Sequence, residues 1–155
     1  MDIMNPNLEV IKNIIDQFGL YVQRVHQGPS YPVYAYTIGM TAHGLPELIC
    51  MGLDPKVIHP YFNMYFYESA IEKVRSAAPD IISDWFNFPL SVIAADFDRV
   101  APYVGLGLDY AEAMEWQRPN FLQWVWTDKS GKFPWDSGWD HSFDSRQPLL
   151  VKTKH

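Results

Sequence analysis

His43 stands between Ala42 and Gly44 in the stretch AYTIGMTAHGLPELICMGL, residues 35–53. A histidine in a turn between two strands can bind an anion, move a proton, or bond the local backbone. Gly44 relieves the turn and Pro46 fixes entry into the next segment, so the backbone is specified without the imidazole. His43 is therefore the leading candidate for a site. Tyr36 and Thr37 precede it on an alternating segment. A tyrosine hydroxyl in a half-buried strand needs a partner, and a ligand is one. Glu47, just after the turn, reads as a solvated strand edge.

A second cluster is QWVWTDKSGKFPW, residues 123–135. Trp126 and Trp135 offer aromatic faces, and Lys132 is a cation set among them. Such a group suits an anionic, ring-bearing ligand, although a lysine lying over core aromatics is the commoner arrangement. Asp128 with Ser130 and Gly131 reads as a turn. Asp136, Asp140 and His141 in WDSGWDH lack the fixed spacing of a metal site, and no metal is assigned to them. His26 and His59 show no partner, and His59 reads as part of a helix's first turn. The phosphate-loop, dinucleotide-turn, HExxH, CxxC and nucleophile-elbow patterns are all absent.

These groups need elements to hold them. PNLEVIKNIIDQFG repeats apolar residues at helical spacing, with Pro6 at its start and Gly19 as its stop. LYVQRVH, VYAYTIGM, PELICMGL, PLSVIAADF and NFLQWVWTD read as five strands. TAHGL is short enough to make a hairpin of the second and third. DPKVIHPYFNMYFYESAIEKVRSAAP reads as the main helix, capped by Asp54, kinked or restarted at Pro60 and ended by Pro79. IISDWFNF reads as a loop or short helical turn, and 98–116 as a helix weakened by Gly105 and Gly107. From about 136 the chain reads as an irregular tail. The expected fold is one α+β domain over 1–155, with a curved, mainly antiparallel sheet of about five strands and two or three helices. A split β-barrel with helices is the alternative.

Composition narrows the function. A net charge of −6 over 155 residues disfavours a nucleic-acid polymer, which selects a basic face. Cys50 is the sole cysteine, reads as a buried small hydrophobe, and points to a reducing, cytoplasmic setting. No stretch is long and apolar enough to span a membrane. Six Trp and nine Tyr favour an aromatic-lined pocket or an interface.

Two blocks carry a resemblance. Tyr36, Thr37, Gly39, Thr41, Pro46, Glu47, Leu48, Gly52 and Leu53 form the first. Leu122, Gln123, Val125, Trp126, Asp128, Gly131, Phe133, Pro134 and Trp135 form the second. Together they resemble a family of small, mostly bacterial proteins known as a domain of unknown function of the DUF4262 type. Thr127 stands where that family usually has proline, and Lys132 where it usually has arginine, which weakens any case for bidentate anion capture. The resemblance brings no catalytic residues and no cofactor. It implies that the two blocks pack side by side.

The reading that follows is a small-molecule-binding domain. It expects an anionic, nucleotide-like ligand between the His43 turn and the Trp126–Trp135 segment, with Tyr36, Thr37 and Lys132 contributing. Two alternatives stand beside it. One is a flavin-dependent oxidoreductase of the split-barrel type, by fold analogy. The other is a protein-interaction module, a second copy of the chain included among its partners.

Overall fold

A computed structural model describes residues 6–75 and 79–152. Six strands form one open sheet: β1 (Tyr21–Val25), β2 (Tyr34–Ile38), β3 (Glu47–Met51), β4 (Asp80–Ile82), β5 (Leu90–Ala94) and β6 (Phe121–Val125). Their order is β1-β2-β3-β6-β5-β4. Every neighbouring pair is antiparallel except β3 and β6, which are parallel. Among the described residues, four α-helices accompany the sheet: α1 (Pro6–Phe18), α2 (Pro55–Phe66), α3 (Phe97–Val100) and α4 (Gly105–Ala113). The α+β class and the antiparallel pairing of the second and third strands are as expected. The sheet is open, so the alternative of a split barrel is overturned.

Both faces of the sheet are covered. Ala35, Leu48, Cys50, Leu122 and Trp124 face Ile58, Phe62 and Tyr65 of α2. Tyr34, Tyr36, Ile38, Ile49 and Phe121 face Ile11 of α1 and Tyr110 of α4. Strands β2, β3 and β6 are therefore buried at every position, which explains their nearly unbroken apolar runs. Each large apolar side chain so buried contributes about 1.5–3 kcal/mol. Cys50 lies in this core, as expected, and burial pushes its thiol pKa up.

Local chemistry sets the helix ends. Gly19, at φ 88°, stops α1 by adopting a left-handed conformation that its lack of a Cβ permits. The Asp54 carboxylate accepts the Lys56 N–H at 2.9 Å, with Pro55 at the first position of α2. Pro60 neither breaks nor restarts α2, which runs through it. The helix instead gives way after Phe66 to a wider turn, Tyr67–Ile71, well before Pro79. The segment read as a loop contains edge strand β4, whose three residues are too few for a periodic signal. The helix expected over 98–116 is two, separated by a 3₁₀ turn at Ala101–Tyr103 and a non-helical Val104 at φ −125°, ψ 30°. Pro102 and the glycines favour that division.

The link between β2 and β3 is not a tight hairpin. It holds one turn of 3₁₀ helix, Met40–His43, ended by Gly44 at φ 72°. Glu47 organises it. The expectation of a solvated Glu47 is overturned: the residue is 2% exposed. Its Oε1 accepts the Thr37 hydroxyl at 2.8 Å and the Met40 N–H at 3.1 Å. Its Oε2 accepts the Thr41 N–H at 2.8 Å, the Thr41 hydroxyl at 2.5 Å and the Gly39 N–H at 3.3 Å. The Thr37 oxygen in turn accepts the Leu48 N–H at 2.8 Å. One carboxylate thus satisfies the free N–H groups that open the 3₁₀ turn and favours negative charge there. Burial raises the Glu47 pKa, and the donations from Thr41, Thr37 and Met40 act against that rise.

Glu47→Gln replaces one acceptor oxygen by an N–H₂ group facing donors. It is expected to lower the unfolding free energy by about 2–3 kcal/mol, from buried groups left unpaired. Urea unfolding with an unchanged denaturant slope measures this.

Candidate functional site

His43 ends the 3₁₀ turn with an exposed imidazole that has no hydrogen-bond partner among the described residues. Its ring meets Phe66 edge-on, with centroids 5.2 Å apart. The two lie on a groove of about 660 Å³ bounded by the end of α1, strand β1 and the outer side of α2. Phe18, Leu20, Val22, Tyr67 and Ile71 give it apolar walls, and His59 and Asn63 are its other polar residues on α2. That volume falls within the range spanned by small-molecule pockets.

His59 is partnered, contrary to expectation, and sits in the second turn of α2. Its Nδ1 lies 2.9 Å from an Arg24 guanidinium nitrogen. A guanidinium only donates, so Nδ1 accepts and the ring proton sits on Nε2. Burial first, and the Arg24 charge second, hold the His59 pKa below its ordinary value. The groove thus carries a neutral imidazole with a fixed tautomer beside an arginine that has no carboxylate partner among the described residues.

The two family-like blocks do pack side by side, because β3 pairs with β6 in the register Glu47–Phe121 to Cys50–Trp124. The expected pocket between His43 and the Trp126–Trp135 segment is nevertheless not formed. The His43 turn precedes β3 and the tryptophan segment follows β6. Parallel pairing therefore puts them at opposite ends of the strands, about 17 Å of strand apart.

The individual residues follow from that. Tyr36 is 2% exposed, packs against Gly107 and Phe121, and has its pKa raised by burial. Thr37 is wholly buried and holds Glu47. Trp126 is 4% exposed, and its Nε1–H donates to the Met51 carbonyl at 2.7 Å. Lys132 is exposed, and Trp135, 41% exposed, stacks on Phe133 at 5.0 Å. Of the six candidate residues, only His43 lines the groove.

Asp128 is the turn former it was read to be. Its carboxylate accepts the N–H groups of Ser130 and Lys132, each at 2.9 Å, and of Asp140 at 2.8 Å. The Lys132 donation leads in holding its pKa below the ordinary carboxylate value. Asp136 accepts the Phe133 N–H, Asp140 caps Ser142, and His141 pairs with Asp144, so these three serve separate local bonds. The tail lacks regular structure but is tied down. Gln147 exchanges two hydrogen bonds with the Trp126 backbone, and Gln123 bonds Pro148 and Leu150.

Sequence reasoning missed Arg24, His59 and the aromatic wall of Phe18, Phe66 and Tyr67. Arg24 and His59 are 35 positions apart, and only the packing of β1 against α2 joins them. Glu47 did leave a signal: Thr37, Gly39 and Thr41 surround the turn that its carboxylate would have to reach.

The family model described as a domain of unknown function (DUF4262) matches residues 14–140. The chain belongs to that family. No curated protein and no solved structure matches it. No helix among the described residues is long and apolar enough to cross a membrane.

His59 is expected to titrate below its ordinary value of 6.5, and Arg24→Met to move it back upward, as read by histidine NMR. With the folded pKa depressed, the unfolded chain takes the proton first. The His59 contribution to stability is therefore intact above 6.5 and falls away as the pH drops below it.

Proposed function

We propose that this chain is a small-molecule-binding domain and that the groove beside His43 takes an anionic, ring-bearing, nucleotide-like ligand. The observation that carries this is an imidazole without a hydrogen-bond partner among the described residues, on an apolar groove of about 660 Å³ that is also lined by His59, whose own partner is Arg24. A planar ring would lie among His43, Phe66 and Tyr67 by edge and face contacts. An acidic end would meet the His59 Nε2–H and the Arg24 guanidinium, a charge-assisted arrangement stronger than a neutral one. The groove lining contains no serine, cysteine or carboxylate, so binding accounts for its chemistry without a nucleophile. The flavin reading drew on a split barrel, and an open sheet removes that support.

A second reading is an interaction surface. Phe18, Ile71 and Tyr67 on the groove rim are 69%, 55% and 53% exposed, and clustered exposed apolar groups are typical of partner sites.

Native mass spectrometry of the purified chain, followed by release on denaturation, tests the first reading. The expected result is a released small molecule whose retention falls in His43→Ala and Tyr67→Ala. Each lost contact should cost about 1–3 kcal/mol, or roughly fivefold to a hundredfold in Kd. Trp135→Ala, at the other end of the strands, should leave retention unchanged. A ligand held equally by all three variants places the site elsewhere.

A further inference from the structure

A second cavity, of about 520 Å³, shares no residue with the His43 groove. Its walls come from the loop after β1, the end of β3 and the tail. Gly28, Ser30, Tyr31, Gly52, Ser145 and Arg146 are among its lining. We propose that this cavity is a second binding site, for the phosphate of a ring-bearing phosphomonoester.

Charge is the first argument. The chain carries 18 Asp and Glu against 12 Lys and Arg, yet no carboxylate lines this cavity and its one charged residue is Arg146. Arg146 has no acidic partner among the described residues. A cavity that excludes acids in an acidic protein, and keeps a cation, favours an anion.

Preorganisation is the second. The Arg146 guanidinium donates to the Gly52 carbonyl at 3.2 Å. It also lies over the rings of Trp126 and Phe143, 5.6 Å from each centroid. An arginine anchored at one nitrogen and stacked on two rings loses little freedom when an anion meets its remaining N–H groups. The Ser30, Ser145 and Tyr31 hydroxyls have no hydrogen-bond partner among the described residues. Together with Arg146 they place donor groups around the cavity, which suits the three terminal oxygens and the higher charge of a phosphomonoester. Tyr31, 38% exposed, presents a ring to stack on.

The walls are built by close approach. A Cβ on Gly28 would stand 2.3 Å from the Tyr31 ring, so the ring folds directly onto that backbone. A Cβ on Gly52 would stand 2.2 Å from the Arg146 carbonyl oxygen, and Gly52 has φ 88°. Glycine alone meets both demands at position 52. Gly52 also follows β3 directly, so the cavity lies at the carboxyl end of the sheet's parallel pair. That is where open sheets with parallel strands most often hold ligands.

Amide NMR of the full chain, titrated with adenosine monophosphate, inorganic phosphate and adenosine, tests the proposal. Adenosine monophosphate and phosphate should shift the Gly28, Ser30, Gly52 and Ser145 amides saturably, the nucleotide with Kd near or below ~1 mM. Adenosine should not. Arg146→Met should weaken both by at least about tenfold. Ser30→Glu changes an exposed loop residue and puts a carboxylate into the cavity, so it should abolish phosphate binding in a chain that still folds. Absence of saturable shifts at these four amides, shifts confined to Gly19 and Asn63 of the other groove, or retained binding in Ser30→Glu would each overturn the proposal.

Discussion

The parallel pairing of β3 with β6 sits at the centre of the sheet, and the rest of the architecture is arranged around it. It joins two antiparallel halves, β1-β2-β3 and β6-β5-β4. A parallel neighbour cannot be reached by a tight turn, so the chain between them must cross over. It does so through α2, β4, β5, α3 and α4, which places α2 over one face and α3 and α4 over the other. With both faces covered, the buried polar residues Thr37, Glu47 and Gln123 of the central strands are each hydrogen-bonded, whereas the Trp124 indole N–H has no partner among the described residues. Gln123, wholly buried, bonds the tail through both ends of its amide.

The same pairing separates the molecule's two ends. At the amino end of β3, the buried Glu47 carboxylate gathers the turn that carries His43. At the carboxyl end, Asp128 gathers the loop that carries Lys132 and Trp135, and Gln147 extends β6 by pairing with the Trp126 backbone. Each end uses a carboxylate or amide side chain where a regular ladder would use backbone. Glu47 and Asp128, the acids of the two blocks, are therefore structural. The carboxylates of Glu47 and Asp128 are taken up by the backbone around them. A buried, fully bonded acid is a stable scaffold, whereas His43, without a hydrogen-bond partner among the described residues, is free to meet something else.

The amino-acid sequence by itself determined the elements whose signal is local. The stripe Leu8, Ile11 and Ile15, closed by Gly19, makes α1. Asp54 and Pro55 start α2. The alternation of Tyr34, Tyr36 and Ile38 against Ala35 and Thr37 assigns the faces of β2. Membership of the DUF4262 family, which the family model over 14–140 shows, was expected from the sequence, and so was the contact between β3 and β6.

Tertiary structure alone decided what depends on residues far apart in the chain. Three-residue β4 has no pattern until β5 pairs with it. The burial of Glu47 depends on donors that reach it only after the 3₁₀ turn has formed. The direction of β6 relative to β3 decided that His43 and Trp135 stand at opposite ends, since the same two blocks paired antiparallel would have met at one end. The Arg24–His59 contact and the Arg146–Gly52 contact each close a loop of many residues. Composition and periodicity carry no information about such contacts, because they record the order of side chains along the chain and not which distant backbones come to lie side by side.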